Sequence, residues 1–107
     1  MGDRASISFK NEDRESVALY SHWGGMAFVK KAKDYVRRLK KEVGTKEFNP
    51  LDRLDPETVM VDFIRYLTAD VTRVSNDLYL GKDEDDGDNS DNGHHVIDCS
   101  KTTKRRK

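Results

Sequence analysis

The hydrophobic pattern changes period several times along the chain. From Arg4 to Phe9, Ala5, Ile7 and Phe9 alternate with Arg4, Ser6 and Ser8. A repeat of two is that of a strand with one buried face. Residues 10–15, "KNEDRE", interrupt it with turn formers, and "SVALYSHW" resumes in strand-favouring residues. The two runs predict an antiparallel hairpin with a loop of about five residues. Val17 and Leu19 fall on one face of its second strand, and Ala18, Tyr20 and His22 on the other.

After Gly24 and Gly25 the repeat becomes helical. Val29, Ala32, Val36, Leu39 and Val43 recur at three and four residues, flanked by Phe28 and Tyr35. This predicts an amphipathic helix over 26–43, closed by Gly44 as its C-cap and by Lys40 and Lys41 in the last turns. Residues 45–54 are irregular. A second helix start follows, with Asp55 as cap, Pro56 in the first position and Glu57 in the first turn. Leu54 and Val59 have the spacing of a hydrophobic staple. Met60, Phe63, Ile64, Leu67, Val71 and Val74 carry this helix to about Ser75. "LYL" then predicts a short strand, and "HHVID" a last one, with His95 and Ile97 opposite His94, Val96 and Asp98.

The order β-β-α-α-β-β predicts an α+β domain of two layers, with a largely antiparallel sheet of about four strands carrying both helices on one face. One domain is expected over residues 1–100, with an acidic loop at 82–92 and a disordered basic tail at 101–107. Hydrophobic residues make up 35% of the chain and charged residues 37%. About 85 residues must therefore supply the core, which predicts modest stability.

No apolar run approaches the roughly 20 residues that cross a bilayer. The first residues lack the apolar segment of a secretory signal, and the lone Cys99 has no intramolecular disulfide partner. A cytoplasmic location without a membrane partner is expected from these features.

The net charge is zero, but it is separated along the chain. Residues 26–43 are rich in lysine and arginine. The loop holds Asp83, Glu84, Asp85, Asp86, Asp88 and Asp91, and "KTTKRRK" is basic again. The molecule is thus expected to be dipolar.

The runs "RASISF", "ALYSHWGG" and "NGHHVID" together resemble a family of small proteins common in phages, prophages and other prokaryotic genomes. Its members open on an Arg-Ala-x-Ile strand, carry a Tyr-x-His-Trp-x-Gly corner and close on an Asn-Gly-His-x-x-Ile strand. The matching residues are Asp3, Arg4, Ala5, Ile7, Tyr20, His22, Trp23, Gly25, Asn92, Gly93, His94 and Ile97. The resemblance implies a mobile-element origin and lends no activity.

Four features have the residue types for chemistry or binding. The corner Tyr20, His22, Trp23, Gly24 and Gly25 joins a strand to a helix start, where backbone amides bind anions. Spaced phosphate-loop glycines are absent, and adjacent Ser21 and His22 face opposite ways on a strand. The corner is therefore read as a partner surface, or as a bare turn in which Trp23 covers one end of the core.

The acidic loop offers Asp83, Asp85, Asp86, Asp88, Ser90 and Asn92 to a calcium or magnesium ion. Counted from Asp88, an EF-hand pattern finds Ser90, Asn92 and Gly93 in place, but Cys99 stands where the bidentate Glu belongs. The alternative is a solvated hairpin loop. His22, His94 and His95 are the third feature; they lack zinc-site spacing and meet only if the first and last strands are neighbours.

The fourth feature is basic charge at Lys30, Lys33, Arg37 and Lys41 on the helix, with Lys104, Arg105 and Arg106 in the tail. These suit nucleic-acid phosphates. Aromatic interleaving of the single-strand-binding kind is not visible in the sequence.

The function expected from these features is that of a non-enzymatic accessory or protein-interaction domain that needs no cofactor, with homodimerisation through a sheet edge as one route. Divalent-cation binding and nucleic-acid binding are the alternatives.

Overall fold

The structure is a computed structural model, and it describes residues 2–42, 55–69 and 77–99. Its elements are β1 (Ala5–Asn11), β2 (Arg14–Glu15), β3 (Ala18–Ser21), α1 (Gly25–Glu42), α2 (Pro56–Leu67), β4 (Leu78–Gly81) and β5 (His94–Asp98). They form the expected α+β fold.

The first hairpin is tighter than its sequence suggests. β1 runs on through Lys10 and Asn11, which pair with Glu15 and Arg14 across a turn at Glu12 and Asp13. Glu12 takes a positive φ of 59° there. Further along, Ala5, Ser6 and Ile7 pair with Ser21, Tyr20 and Leu19. The register differs by one residue between the two stretches, so β2 and β3 are one strand interrupted by a bulge at Ser16 and Val17. The Ser16 hydroxyl holds the bulge, accepting from Phe9 N at 3.0 Å and donating to the Val17 carbonyl at 2.8 Å. The bulge also separates Val17 from Leu19: Val17 is exposed and Leu19 is buried.

Across the sheet the order is β5, β1, the bulged β2/β3 strand, then β4. β4 is antiparallel to β3, whereas β5 pairs parallel with β1. β4 and β5 thus lie on opposite edges and point the same way. The acidic connection between them is not a hairpin loop but a crossover that traverses the sheet.

Both helices pack on one face. Ala5, Ile7, Phe9, Leu19 and Ile97 meet Val29, Ala32, Val36 and Leu39 of α1 and Val59, Met60 and Phe63 of α2. Phe63 is fully buried, edge-on to Phe9 with ring centroids 5.7 Å apart. Burial of such side chains stabilises by about 1.5–3 kcal/mol each.

The other face of β1 is not exposed. Ser6 and Ser8 are as buried as the apolar residues they alternate with. The acidic crossover lies over them, which period-two reasoning had no means of showing.

At α2, Pro56 occupies the first turn, but Asp55 makes no side-chain cap; its carbonyl accepts from Val59 N at 2.9 Å. The helix ends at Leu67 rather than near Ser75. Thr68 turns its hydroxyl back onto the Ile64 carbonyl at 2.7 Å and leaves the helical backbone. The expected features at Val43, Gly44, 45–54, Val71, Val74 and 101–107 lie outside the described residues.

Candidate functional site

The strand-to-helix corner is built by two aspartates distant in sequence. Asp77, just before β4, accepts from the Ser21 hydroxyl at 3.0 Å and from Trp23 N at 2.9 Å. Its backbone carbonyl accepts from His22 N at 3.0 Å. On the other side, Asp3 N donates to the His22 carbonyl and the Asp3 carbonyl accepts from Gly25 N, both at 2.8 Å. The Ser21 hydroxyl accepts from Gly24 N at 2.9 Å. The amides of Trp23, Gly24 and Gly25 at the corner are thus already engaged by the chain itself.

Gly25 has a positive φ of 57°, and a Cβ there would run into the Asp3 carboxylate. That carboxylate stands beside the start of α1, where negative charge suits the helix dipole. Glycine at this position is a geometric requirement of the corner.

Trp23 does not cover the core. It is 57% exposed, although its backbone is fixed. Its ring lies 5.4 Å from that of His22, which lies 5.0 Å from Tyr79. Tyr79 stacks on the fully buried Tyr20 at 4.9 Å. Four rings from the corner and β4 therefore make one row, from buried Tyr20 to exposed Trp23.

The first part of the acidic crossover rests on this row. The Tyr20 hydroxyl donates to the Asp83 carbonyl at 2.5 Å and accepts from Gly87 N at 2.9 Å. The Tyr79 hydroxyl accepts from Asp88 N at 3.0 Å. Hydrogen bonding from Ser90, then the charges of Arg4 and His22, lower the Asp88 pKa from its ordinary value. Arg4 Nε lies 3.2 Å from that carboxylate, and Arg4 N donates to Asp91 at 2.9 Å.

The expected metal donors are placed along the crossover, and Asp83, Asp86, Asp88 and Asn92 are engaged by the chain itself. Asp83 accepts from Asp85 N at 3.0 Å, Asp86 from Lys82 N at 2.7 Å, and Asp88 from Ser90 N at 3.0 Å. Asn92 donates to Asp3 at 2.6 Å and to the Arg4 carbonyl at 3.0 Å. Among the described residues no group of three or more His, Cys, Asp or Glu side chains is arranged to hold a metal ion.

The first and last strands are neighbours, but this leads His94 to a different set of partners. Its side chain is 8% exposed. Nδ1 lies 2.7 Å from the Ser6 hydroxyl and Nε2 lies 3.1 Å from that of Ser8. Ser8 donates to Glu15 at 2.5 Å, and Ser6 accepts from Asn89 Nδ2 at 2.9 Å. The donors line up in one direction, from Asn89 through Ser6, His94 and Ser8 to Glu15, with the His94 proton on Nε2. Both serines are buried, so this chain ties the crossover to the sheet and does not expose a nucleophile. His95 turns away, donating from Nε2 to the Asn92 carbonyl at 2.9 Å.

Of the basic residues, Lys30 and Arg37 share Asp34, each at 2.8 Å. Hydrogen bonding from Lys30, then from Arg37, lowers the Asp34 pKa. Lys33 and Lys41 are exposed on the same helix, and Lys104, Arg105 and Arg106 lie outside the described residues. Among the described residues, no helix is long and apolar enough to cross a membrane.

The geometry defines a two-layer α+β domain with an ordered aromatic corner and an acidic crossover strapped to its sheet. No family model matches the chain, and no curated protein or solved structure matches it.

Proposed function

We propose that the protein is a non-enzymatic accessory domain of mobile-element type that binds a protein partner through Trp23 and the ring row behind it. One observation carries the reading. Trp23 is more than half exposed while its amide is bonded to Asp77 and its ring is flanked by His22. A large aromatic held ready in its bound geometry loses little entropy on docking, and such residues dominate interface energetics. The Asp88 amide donates to the Tyr79 hydroxyl of the ring row, and Asp83, Glu84, Asp85 and Asp86 precede it along the crossover, so the favoured partner offers an apolar pocket bordered by lysine or arginine.

Trp23 is the single tryptophan of the chain, so its emission reports on this surface alone. The test is affinity capture with the wild type and Trp23→Ala in parallel, followed by titration of the purified captured protein. The expected result is a saturable blue shift of Trp23 emission and a loss of binding in Trp23→Ala of about tenfold or more. Equal binding by both proteins, with no emission shift, would overturn the reading.

A further inference from the structure

The outer surface of the helix layer carries a second aromatic arrangement, assembled from both helices. Tyr35 of α1 and Tyr66 of α2 stack with centroids 5.0 Å apart and an interplanar angle of 28°. Phe63 supports them from the core, at 5.4 Å from Tyr35 and 6.3 Å from Tyr66. Arg38 lies across the pair, its guanidinium carbon 5.3 Å from one ring centroid and 5.2 Å from the other. Tyr66 is still 46% exposed.

This ridge separates two open depressions. One is bordered by Lys30 and Lys31, the other by Arg65 and Thr68. Both are open to solvent, with volumes of about 330 and 640 Å³. Charge on the ridge is only partly neutralised. Lys30 and Arg37 share Asp34, and Arg65 approaches Asp62 at 3.8 Å. Lys31, Lys33 and Arg38 have no carboxylate partner among the described residues.

We propose that this ridge binds single-stranded nucleic acid without sequence preference, a base stacking on the Tyr66 and Arg38 surface and the backbone phosphates running between Lys31 and Arg65. The site is separate from the Trp23 surface and does not depend on it. Stacked tyrosines flanked by cations are what a splayed base and its two phosphates require. An acidic peptide would use the cations and leave the rings idle. A duplex would keep its bases from the rings.

The arginine also has a defined task. Lying across two rings, it has less rotamer freedom to lose and keeps donor N–H groups for phosphate. The two tyrosines are far apart in sequence, which is why aromatic interleaving was not visible there.

The test is fluorescence anisotropy of a labelled oligothymidine of about ten nucleotides against the full chain at low salt. Saturable binding that weakens as salt rises is expected. Tyr66→Ala is expected to weaken it about five- to a hundredfold, Tyr66→Phe to keep it, and Trp23→Ala to leave it unchanged. Arg38→Gln is expected to weaken binding and flatten its salt dependence. It also carries the test alone if Tyr66→Ala does not fold. Three outcomes would each overturn the proposal. These are absence of saturable binding, equal affinity for a duplex of the same length, and wild-type affinity in a folded Tyr66→Ala or in Arg38→Gln. The last would assign the attraction to undirected basic charge, the tail included.

Discussion

The Tyr20 hydroxyl and the Gly87 amide meet at 2.9 Å over the face of the sheet opposite the helices. The same hydroxyl donates to the Asp83 carbonyl. Tyr20 thus holds the acidic crossover at two points, and Gly87 lies flat against the rings of Tyr20 and Tyr79.

Removing that hydroxyl should loosen the crossover without emptying the core. Tyr20→Phe leaves a carbonyl and an amide without their partner, which costs about 1–3 kcal/mol. The midpoint of urea unfolding should fall. Gly87 hydrogen exchange should accelerate more than that of Ile7 in the central strand.

Gly87 tests the same contact from the other side. A Cβ at this position would lie 2.8 Å from ring carbons of both Tyr20 and Tyr79. Gly87→Val should destabilise by about 1–3 kcal/mol, as overpacking does, and shift the ring signals of both tyrosines in NMR spectra. Unchanged stability would mean that the crossover yields freely.

His94→Ala removes the middle of the hydrogen-bonded chain. The Ser6 hydroxyl proton then loses its acceptor in a fully buried position, at a cost of about 1–3 kcal/mol. The double variant Ser6→Ala/His94→Ala should lose less than the sum of the single losses, because the stranded group is gone. Additive losses in urea unfolding would contradict the shared chain.

Cys99 supplies a pH dependence. It is fully buried, and burial first, then the charge of Asp98, push its thiol up from 9.0 to about 11. The native state therefore keeps a proton that the unfolded chain has already lost above pH 9.0. With more protons bound in the native state, stability falls as pH rises through the window from 9.0 to about 11. Thermal unfolding should show this slope, and Cys99→Ala should reduce it. At pH near 8 a thiol reagent should modify Cys99 only as fast as the protein opens.

Calcium offers a further check. The crossover carboxylates accept from the loop's own amides at Lys82, Asp85 and Ser90. Millimolar calcium is expected to leave the amide signals of Gly87 and Gly93 in place. Saturable shifts at both would establish an ordered metal site instead.

The sequence by itself determined the elements whose evidence is local. Alternation at Ala5, Ile7 and Phe9 marks a strand, and the stripe from Val29 to Leu39 marks a helix, because each pattern reports one buried face of one element. The corner at Gly24 and Gly25 was legible for the same reason, since glycine removes a local steric barrier.

Only the tertiary structure decided that β5 lies parallel to β1 and that the acidic connection crosses the sheet. Pairing across such a separation depends on which surfaces remain to be covered once the helices have taken one face. Ser6 and Ser8 read as solvent-facing because serine suits water. They are buried because Asn89, His94 and Glu15 supply their hydrogen bonds. The sequence left Trp23 either on a partner surface or covering one end of the core, and it is exposed because Asp77 and Asp3 hold the corner from behind and leave the ring outside. The Tyr35–Tyr66 ridge belongs to neither helix alone. It arises where α1 and α2 pack side by side on the sheet, a relationship that local periodicity does not encode.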